Sequence, residues 1–198
     1  MTGLPSCYIG NTVSSLSGKK DIRGEFTVVD NEPFYMISNV NGMPPFFISL
    51  ASDSDHWMFV SSNGGITAGR KNADFALFPY YTDDKIAESA EYTGSKTIFL
   101  VHAAERSFLW EPFSDKYEGI YKITRNLYKS RLGNKIIFEE INHDLGLSFR
   151  YQWCSGDQFG FVRRSTLTNL SGNDMDISVL DGLQNILPSG VPCDLQNS

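Results

Sequence analysis

The chain has 198 residues, which suits a single domain whose core needs no disulfide or metal to hold it together. Its formal net charge of −6 argues against nucleic acid as a partner, because binding to phosphates requires clustered lysine and arginine. Aromatic residues make up 13% of the chain, with 14 Phe and 9 Tyr, and this composition favours strands over helices.

The cysteines and the apolar runs bear on the compartment. Cys7, Cys154 and Cys193 are too few and too far apart for a disulfide framework, and an odd number favours a reducing environment. The first ten residues lack the basic segment and apolar core of a secretory signal. No apolar run approaches the roughly 20 residues that span a bilayer. We therefore expect a soluble, cytoplasmic protein that does not bind a membrane.

The first half of the chain predicts short strands joined by turns. An irregular segment, 1–23, precedes a β-hairpin of 24–30 and 32–38, with Asp30-Asn31 at the turn because both residue types tolerate turn conformations. One helix is predicted near 83–90, where Thr82 is a suitable N-cap and Gly94 a suitable end. Further strands are predicted at 46–50, 56–61, 66–70, 96–102, 107–111, 117–129 and 135–141.

Alternation of apolar and polar residues is clearest in the second half. In 117–129 it predicts that Arg125 and Leu127 face inward, with Arg125 near the rim. Residues 147–188 contain three runs of period two separated by turns, which predicts an antiparallel meander. About a dozen strands at this spacing are typical of a sandwich or a barrel, and we predict an all-β antiparallel β-sandwich. The alternation ends near residue 185, so 1–185 is predicted as the domain and 186–198 as the start of a linker.

Two segments near the C-terminus resemble a known family. They are Arg164 to Gly172 (RSTLTNLSG) and Ile177 to Gly190 (ISVLDGLQNILPSG), and they look like part of the N-terminal β-sandwich of large cellobiose-phosphorylase-like proteins. The resemblance implies a supersandwich related to the galactose-mutarotase fold, followed by an (α/α)6 barrel that carries the catalytic carboxylates. It therefore implies no catalytic residue in this chain.

From this resemblance we expect a non-catalytic module of a glycoside phosphorylase or hydrolase. The module would support the C-terminal barrel of the same parent chain, which is the expected partner, and would shape its substrate cleft. We expect no cofactor and no metal, since the sequence has neither a phosphate loop, a dinucleotide fingerprint nor zinc-ligand spacing. Asp53-Ser54-Asp55 also lacks the glycine and the distal glutamate of a calcium loop.

A stand-alone carbohydrate-binding module is one alternative. Sugars stack their C–H faces on aromatic rings, and nearby polar groups then fix the hydroxyls. Trp153, close to Asp157 in a turn, is the best-placed candidate, and Trp110 and Trp57 are the others. The competing interpretation is that these rings fill the core, as large aromatic side chains usually do.

A small mutarotase or epimerase is the other alternative. Such an enzyme needs a histidine and a carboxylate at the sugar ring, because histidine titrates near neutral pH. His102 has Glu105 three residues on, and His143-Asp144 follows Glu139 and Glu140. The two glutamates are adjacent on a strand and so face opposite sides. The competing interpretation is that these groups make local, structural hydrogen bonds.

Arg163 and Arg164 are candidates for an interface. Because they alternate along a strand, one of them points inward, and a buried arginine needs a carboxylate partner. Asp174, Asp176 and Asp181 are the nearest candidates. The ordinary interpretation is an ion pair across strands, and the more specific one is a contact with a following domain.

Overall fold

A computed structural model describes residues 6–10, 21–103, 106–156 and 160–196. These residues form fourteen strands, one short α-helix and five 3₁₀ turns. The strands are β1 (Ser6–Tyr8), β2 (Arg23–Val29), β3 (Glu32–Ser38), β4 (Phe47–Leu50), β5 (His56–Ser61), β6 (Ile66–Arg70), β7 (Ala76–Phe78), β8 (Gly94–Ala103), β9 (Arg106–Trp110), β10 (Ile123–Ser130), β11 (Lys135–Asn142), β12 (Leu147–Gly156), β13 (Gly160–Asn169) and β14 (Asp176–Gln184). The helix is α1 (Asp83–Glu88), and the 3₁₀ turns are Val40–Gly42, Ala73–Phe75, Ser89–Glu91, Asp115–Tyr117 and Cys193–Leu195.

The strands form three sheets. The large sheet has the order β13-β12-β11-β10-β3-β2, the middle sheet β4-β5-β6-β7 and the terminal sheet β1-β9-β8-β14. Strand β1 pairs in parallel with β9, and the other pairs are antiparallel. This arrangement confirms the predicted all-β, sandwich-like fold.

One core lies between the large sheet and the two smaller sheets. Successive side chains of β12 point to alternate faces of the sheet, and its buried residues Phe149 and Trp153 point into this core. The Phe149 ring contacts Phe99 of the terminal sheet, with centroids 5.3 Å apart, and Trp153 contacts Phe78 of the middle sheet at 6.1 Å. Burial of each such ring stabilises the fold by about 1.5–3 kcal/mol. The three sheets therefore share a single interior.

The predicted hairpin of β2 and β3 is confirmed, and so is its turn. Asp30 and Asn31 have φ of 49° and 64°, the left-handed conformation that both central residues of a type I′ turn adopt. Asp and Asn tolerate it better than other non-glycine residues because their short side chains can hydrogen-bond locally. Local sequence chemistry thus sets the register, with Val29 opposite Glu32.

The predicted helix is confirmed as α1, which continues as a 3₁₀ turn to Glu91. Thr82 occupies the N-cap position, but its hydroxyl donates to Asp84 Oδ1 at 2.6 Å and caps no backbone N–H. Gly94 does not end the helix. It begins β8 instead, with φ of 97°.

The segment predicted as a linker packs on the middle sheet over its described part, residues 186–196. Leu187 donates its N–H to the carbonyl of Leu77 in β7 at 2.9 Å. The amide of Gln196 donates to the carbonyl of Ala73 and accepts from the N–H of Tyr80. A following domain stays a prediction.

Across the described parts of the chain, no helix has the length and hydropathy needed to cross a bilayer.

Candidate functional site

Two of the predicted sugar-binding tryptophans lie in the core. Trp110 is 1% exposed and Trp153 is 3% exposed, so neither presents a ring face to a sugar. Trp110 donates its indole N–H to Glu140 Oε1 at 2.8 Å, as a buried indole requires. The expectation of an exposed platform is therefore corrected for these two residues, which fill the space between the sheets. Asp157 lies outside the described residues.

Trp57 has a different position, on the outer face of the middle sheet. Its ring stacks on Phe59 with centroids 5.9 Å apart and meets Tyr80 edge-on at 5.6 Å, while Phe59 contacts Phe47 at 5.3 Å. The indole lies over Gly69, where a Cβ would come within 2.5 Å of it. We call Phe47, Phe59, Trp57 and Tyr80 the aromatic row. Its two ends, Phe47 and Tyr80, are the most exposed members.

The two histidines considered for catalysis, His102 and His143, share hydrogen bonds with hydroxyl groups. His102 shares hydrogen bonds with Ser107 Oγ at 2.8 Å and Ser178 Oγ at 2.9 Å. His143 shares one with Thr124 Oγ1 at 2.8 Å, while Asp144 accepts from the N–H of Lys122. Glu105 lies outside the described residues. The structure thus brings neither histidine into hydrogen-bonding contact with a described carboxylate.

Arg125 is the centre of a buried charged cluster. It lies on the inner face of β10, as alternation predicted, directly opposite Glu140 of β11. Its Nε donates to Glu140 Oε2 at 2.7 Å, its Nη1 to Asp115 Oδ1 at 2.6 Å and its Nη2 to the carbonyl of Ser114 at 3.0 Å. Burial alone would lower the pKa of Arg125, but the charges of Glu140 and Asp115 outweigh it and raise that pKa. The guanidinium is therefore a fixed, neutralised cation.

Glu140 orders the segment that follows β9. Besides Arg125, it accepts the indole N–H of Trp110 and the backbone N–H of Phe113, the latter at 2.8 Å. Phe113 has φ of 66°, a left-handed conformation that is unusual for a bulky residue. Its ring packs edge-on against Phe138 and Tyr151. The glutamate thus holds a strained backbone in place, a role that alternation alone did not reveal.

A cavity of about 190 Å³ opens beside Arg125. It lies between β10 and β11 of the large sheet, the loop after β9, the turn after β5 and the 3₁₀ turn after β3. Its apolar lining includes Phe113, Ile123 and Phe138. Its polar lining includes Asn41, Asp115, Glu118, Arg125 and Asn126.

Two buried amide oxygens near Arg125 have unmet hydrogen-bonding capacity. Asn41 Oδ1 and Asn126 Oδ1 accept no hydrogen bond from any described residue. Asn41 lines the cavity, whereas the Asn126 amide lies with Glu139 on the opposite face of the large sheet. An unpaired buried polar atom costs about 1–3 kcal/mol, so such atoms are uncommon in folded proteins. One residue that lines the cavity, Asn41, therefore has an acceptor without a donor among the described residues.

A second buried carboxylate, Glu139, lies on the opposite face of the same sheet. It accepts from Asn126 Nδ2 at 2.7 Å, from the hydroxyl of Tyr128 at 2.6 Å and from Arg150 Nε at 2.6 Å. Burial would raise the pKa of Glu139, but hydrogen bonds from Tyr128 and Asn126 and the charge of Arg150 outweigh it and lower that pKa. The predicted opposite orientation of Glu139 and Glu140 is confirmed, and both carboxylates are fully engaged by neighbours.

The carboxylate partner predicted for one arginine of the pair is Asp181. Arg163 donates from Nη1 to Asp181 Oδ2 at 2.9 Å and from Nη2 to Oδ1 at 2.8 Å, a bidentate pair. Burial would raise the pKa of Asp181, but hydrogen bonds from Arg163 and Thr97 outweigh it and lower that pKa. The pair joins β13 of the large sheet to β14 of the terminal sheet. Arg164 makes an exposed contact with Asp30, and an interface role for either arginine stays a prediction.

Strands β13 and β14 are the edge strands of the large and the terminal sheet, and the Arg163–Asp181 pair connects them. Val179 and Leu167 face the core side, opposite Phe99 and Phe149 in their ladders, yet they are 59% and 38% exposed. Leu180, on the other face of β14, is 66% exposed. We call these two strands and their exposed side chains the open edge.

The chain has no match among protein-family models, and none of the curated proteins is a significant match to its sequence. No group of three or more His, Cys, Asp or Glu side chains in the described ranges is arranged to hold a metal ion. The class that the fold defines is therefore an all-β, sandwich-like domain with an open edge and a polar cavity.

Proposed function

We propose that this chain is a non-catalytic β-sandwich module of a larger carbohydrate-active protein, and that its open edge docks against a neighbouring domain of that protein. The observation that carries the proposal is the open edge itself. Two long strands each form the edge of a sheet and leave apolar side chains exposed. An unpaired strand edge of this kind is a ready-made site for association with another chain.

The edge strands have only part of the usual protection against association, namely the charged pair Arg163–Asp181 on their inward side. Natural edge strands are often shortened or carry lysine or proline, which discourage pairing with other chains. Strand β13 has ten residues and β14 has nine, and neither contains lysine or proline. Covering Val179 and Leu180 fully would contribute about 1.5–3 kcal/mol each. A permanently attached domain would remove the risk that such an edge carries.

The position of the resemblance supports the same proposal. The segments that look like cellobiose-phosphorylase-like proteins, 164–172 and 177–190, cover most of β13 and β14 and the turn between them. In the family that they resemble, this part of the sandwich leads to the (α/α)6 barrel. We propose a helical barrel of that kind as the partner, which would leave the sandwich to shape the mouth of its substrate cleft.

The test is to produce this chain together with the helical domain that the proposal places after it, supplied as a separate polypeptide. Calorimetry should detect binding, and Val179→Lys with Leu180→Lys should weaken it at least tenfold, about 1.4 kcal/mol, because lysine places charge on the docking surface. The matched control is Phe26→Lys with Val28→Lys, which changes apolar residues that are at least as exposed at the far edge of the large sheet. Unchanged binding in the first variant, or equal loss in both, would overturn the proposal.

The described residues give the epimerase alternative no support, since His102 and His143 contact hydroxyls. The buried carboxylates do not supply a catalytic pair either. Glu139 and Glu140 lie on opposite faces of the large sheet, and each is held by several donors in a structural network.

A further inference from the structure

A second cavity, a cleft of about 610 Å³, lies beside the middle sheet. It is lined by β6, β7, the starts of β5 and β13, and the segment after β14. Its described ionisable lining residues, His56, Arg70 and Lys71, are all basic, and we call it the basic cleft. We propose that the basic cleft binds a small phosphorylated molecule, whose phosphate contacts these three side chains and whose ring packs on the apolar lining. This inference does not depend on the open edge or on a neighbouring domain.

Strand pairing brings the three basic side chains together. His56 and Arg70 lie directly opposite each other in the ladder of β5 and β6, so their side chains project from the same face. Lys71 follows immediately, where β6 ends. Its backbone N–H donates to the carbonyl of Asp55 at 2.7 Å, which fixes Lys71 beside the start of β5.

Lys71 occupies a strained turn. The N–H of Asn72 donates to the carbonyl of Arg70 at 2.6 Å, and Lys71 between them has φ of 60°, which makes a rare form of three-residue turn. Residues held in such conformations cluster at ligand sites. The ammonium lies 5.5 Å from the centroid of the Phe75 ring, and no described carboxylate forms an ion pair with it. Its charge and its N–H donors therefore remain available to a ligand.

The other two basic side chains also retain donor positions. Arg70 donates from Nε and Nη2 to the two oxygens of Asp55, at 3.1 and 3.4 Å, while its Nη1 has no hydrogen bond to a described residue. His56 Nδ1 shares a hydrogen bond with Ser54 Oγ at 2.5 Å, whereas Nε2 shares none with a described residue. A phosphate has several acceptor oxygens and pairs well with guanidinium and ammonium groups.

The charge balance favours an anion. Asp55 lies outside the lining, and the hydrogen bond from Arg70, with the charges of Arg70, His56 and Lys71, lowers the pKa of that carboxyl group. Asp74 is not part of the lining either, and its carboxylate accepts the N–H of Cys193 at 2.9 Å. The positive charges of Arg70 and Lys71 thus share one carboxylate, Asp55, which leaves the balance of the cleft positive.

The apolar lining and the size of the cleft suit a ring attached to the phosphate. Leu77, Phe161 and Leu187 are each only partly buried, so they leave apolar surface in the cleft. The hydrogen bond from Leu187 to Leu77 fixes two of them against each other. A volume of about 610 Å³ lies within the roughly 300–1,000 Å³ of small-molecule sites, and a phosphate ion alone would fill little of it.

The test begins with NMR of the unmodified chain, titrated separately with phenyl phosphate, inorganic phosphate, benzyl alcohol and tetramethylammonium. Phenyl phosphate should shift the amide signals of Lys71, Leu77 and Phe161, and it should bind more tightly than inorganic phosphate, which lacks a ring. Absence of these shifts, or tighter binding of the alcohol or the ammonium ion, would overturn the proposal. Equal affinity for inorganic phosphate would contradict the role of the apolar lining.

The decisive variant is Lys71→Gln, which removes the charge of an exposed side chain. It should weaken the binding of phenyl phosphate about five- to tenfold, because a charge-assisted hydrogen bond is lost, and it should leave thermal stability unchanged. The matched control is Lys85→Gln, which removes the same charge from an exposed lysine of α1 and should leave the affinity unchanged. Equal weakening in both variants would show attraction to the whole molecule instead of a site and would contradict the inference.

Discussion

Two consecutive glutamates show how much a single residue step decides in this fold. Glu139 and Glu140 differ by one position in β11, so their side chains lie on opposite faces of the large sheet. Glu140 is engaged by Arg125, Trp110 and Phe113 on the core side. Glu139 is 3% exposed on the other side, where donors from the two neighbouring strands, β10 and β12, surround it. A buried carboxylate with that many donors stabilises the ionised form.

The stability contributed by Glu139 should depend on pH. Its pKa is lower in the folded chain than in the unfolded one, so its contribution is complete above the unfolded value of about 4.3 and is lost as the pH falls through the folded value. Glu139→Gln should lower the unfolding free energy by about 1.5–3 kcal/mol at pH 7. The difference from the unchanged chain should shrink steadily below about pH 4.

Urea unfolding at a series of pH values measures this difference. The control is Glu25→Gln, which changes an exposed glutamate of β2 in the same sheet. That variant should match the unchanged chain throughout. A deficit of Glu139→Gln that stays constant down to pH 2 would show that the charge of Glu139 plays no part.

At the scale of elements, helix α1 packs directly on the middle sheet through a glycine. A Cβ at Gly65 would lie 1.8 Å from the carbonyl oxygen of Ile86, so only glycine permits this approach of backbone to backbone. Gly65 belongs to the turn Asn63-Gly64-Gly65, whose composition is typical of turns. Its contact with α1 lies beyond what a turn pattern can show, since the two segments are about twenty residues apart.

Gly65→Ala should therefore lower the unfolding free energy by about 1–3 kcal/mol, because α1 must shift to admit one methyl group. Gly182→Ala in β14 is the matched control, since no atom lies within 4 Å of the added Cβ and its backbone has no positive φ. That change should stay within about 0.5 kcal/mol. Thermal unfolding compares the two, and equal effects would contradict the close contact.

At the scale of the whole molecule, the shared core should make the three sheets unfold together. Phe149 is 2% exposed and contacts the terminal sheet through Phe99 and the loop after β9 through Phe113. Phe149→Ala should lower the unfolding free energy by about 3–5 kcal/mol. Phe26→Ala, which truncates a ring that is 83% exposed, should stay within about 0.5 kcal/mol.

Urea unfolding followed by tryptophan fluorescence and by far-UV circular dichroism checks cooperativity. Trp110 and Trp153 report the buried interior, while circular dichroism reports all strands. The two transitions should coincide in the unchanged chain and in Phe149→Ala. Separate transitions would show that one sheet has an independent core.

The sequence by itself determined the local features. Alternation placed most strands and assigned Arg125 and Leu127 to the inner face, while turn residues located the Asp30-Asn31 hairpin. These features depend on neighbours within a few positions, because the period of a strand and the φ of a turn are local properties. Alternation and turn residues did not predict how the strands pair into three sheets.

Only the tertiary structure decided which faces are covered. Trp110 and Trp153 share with Trp57 the pattern of an aromatic residue in a strand, yet the first two are enclosed by other sheets and the third is not. Arg163 reaches Asp181 in another sheet, and the cavity beside Arg125 gathers residues from five separate parts of the chain. Alternation tells which way a side chain points, but whether anything lies there depends on segments distant in sequence that pack against it.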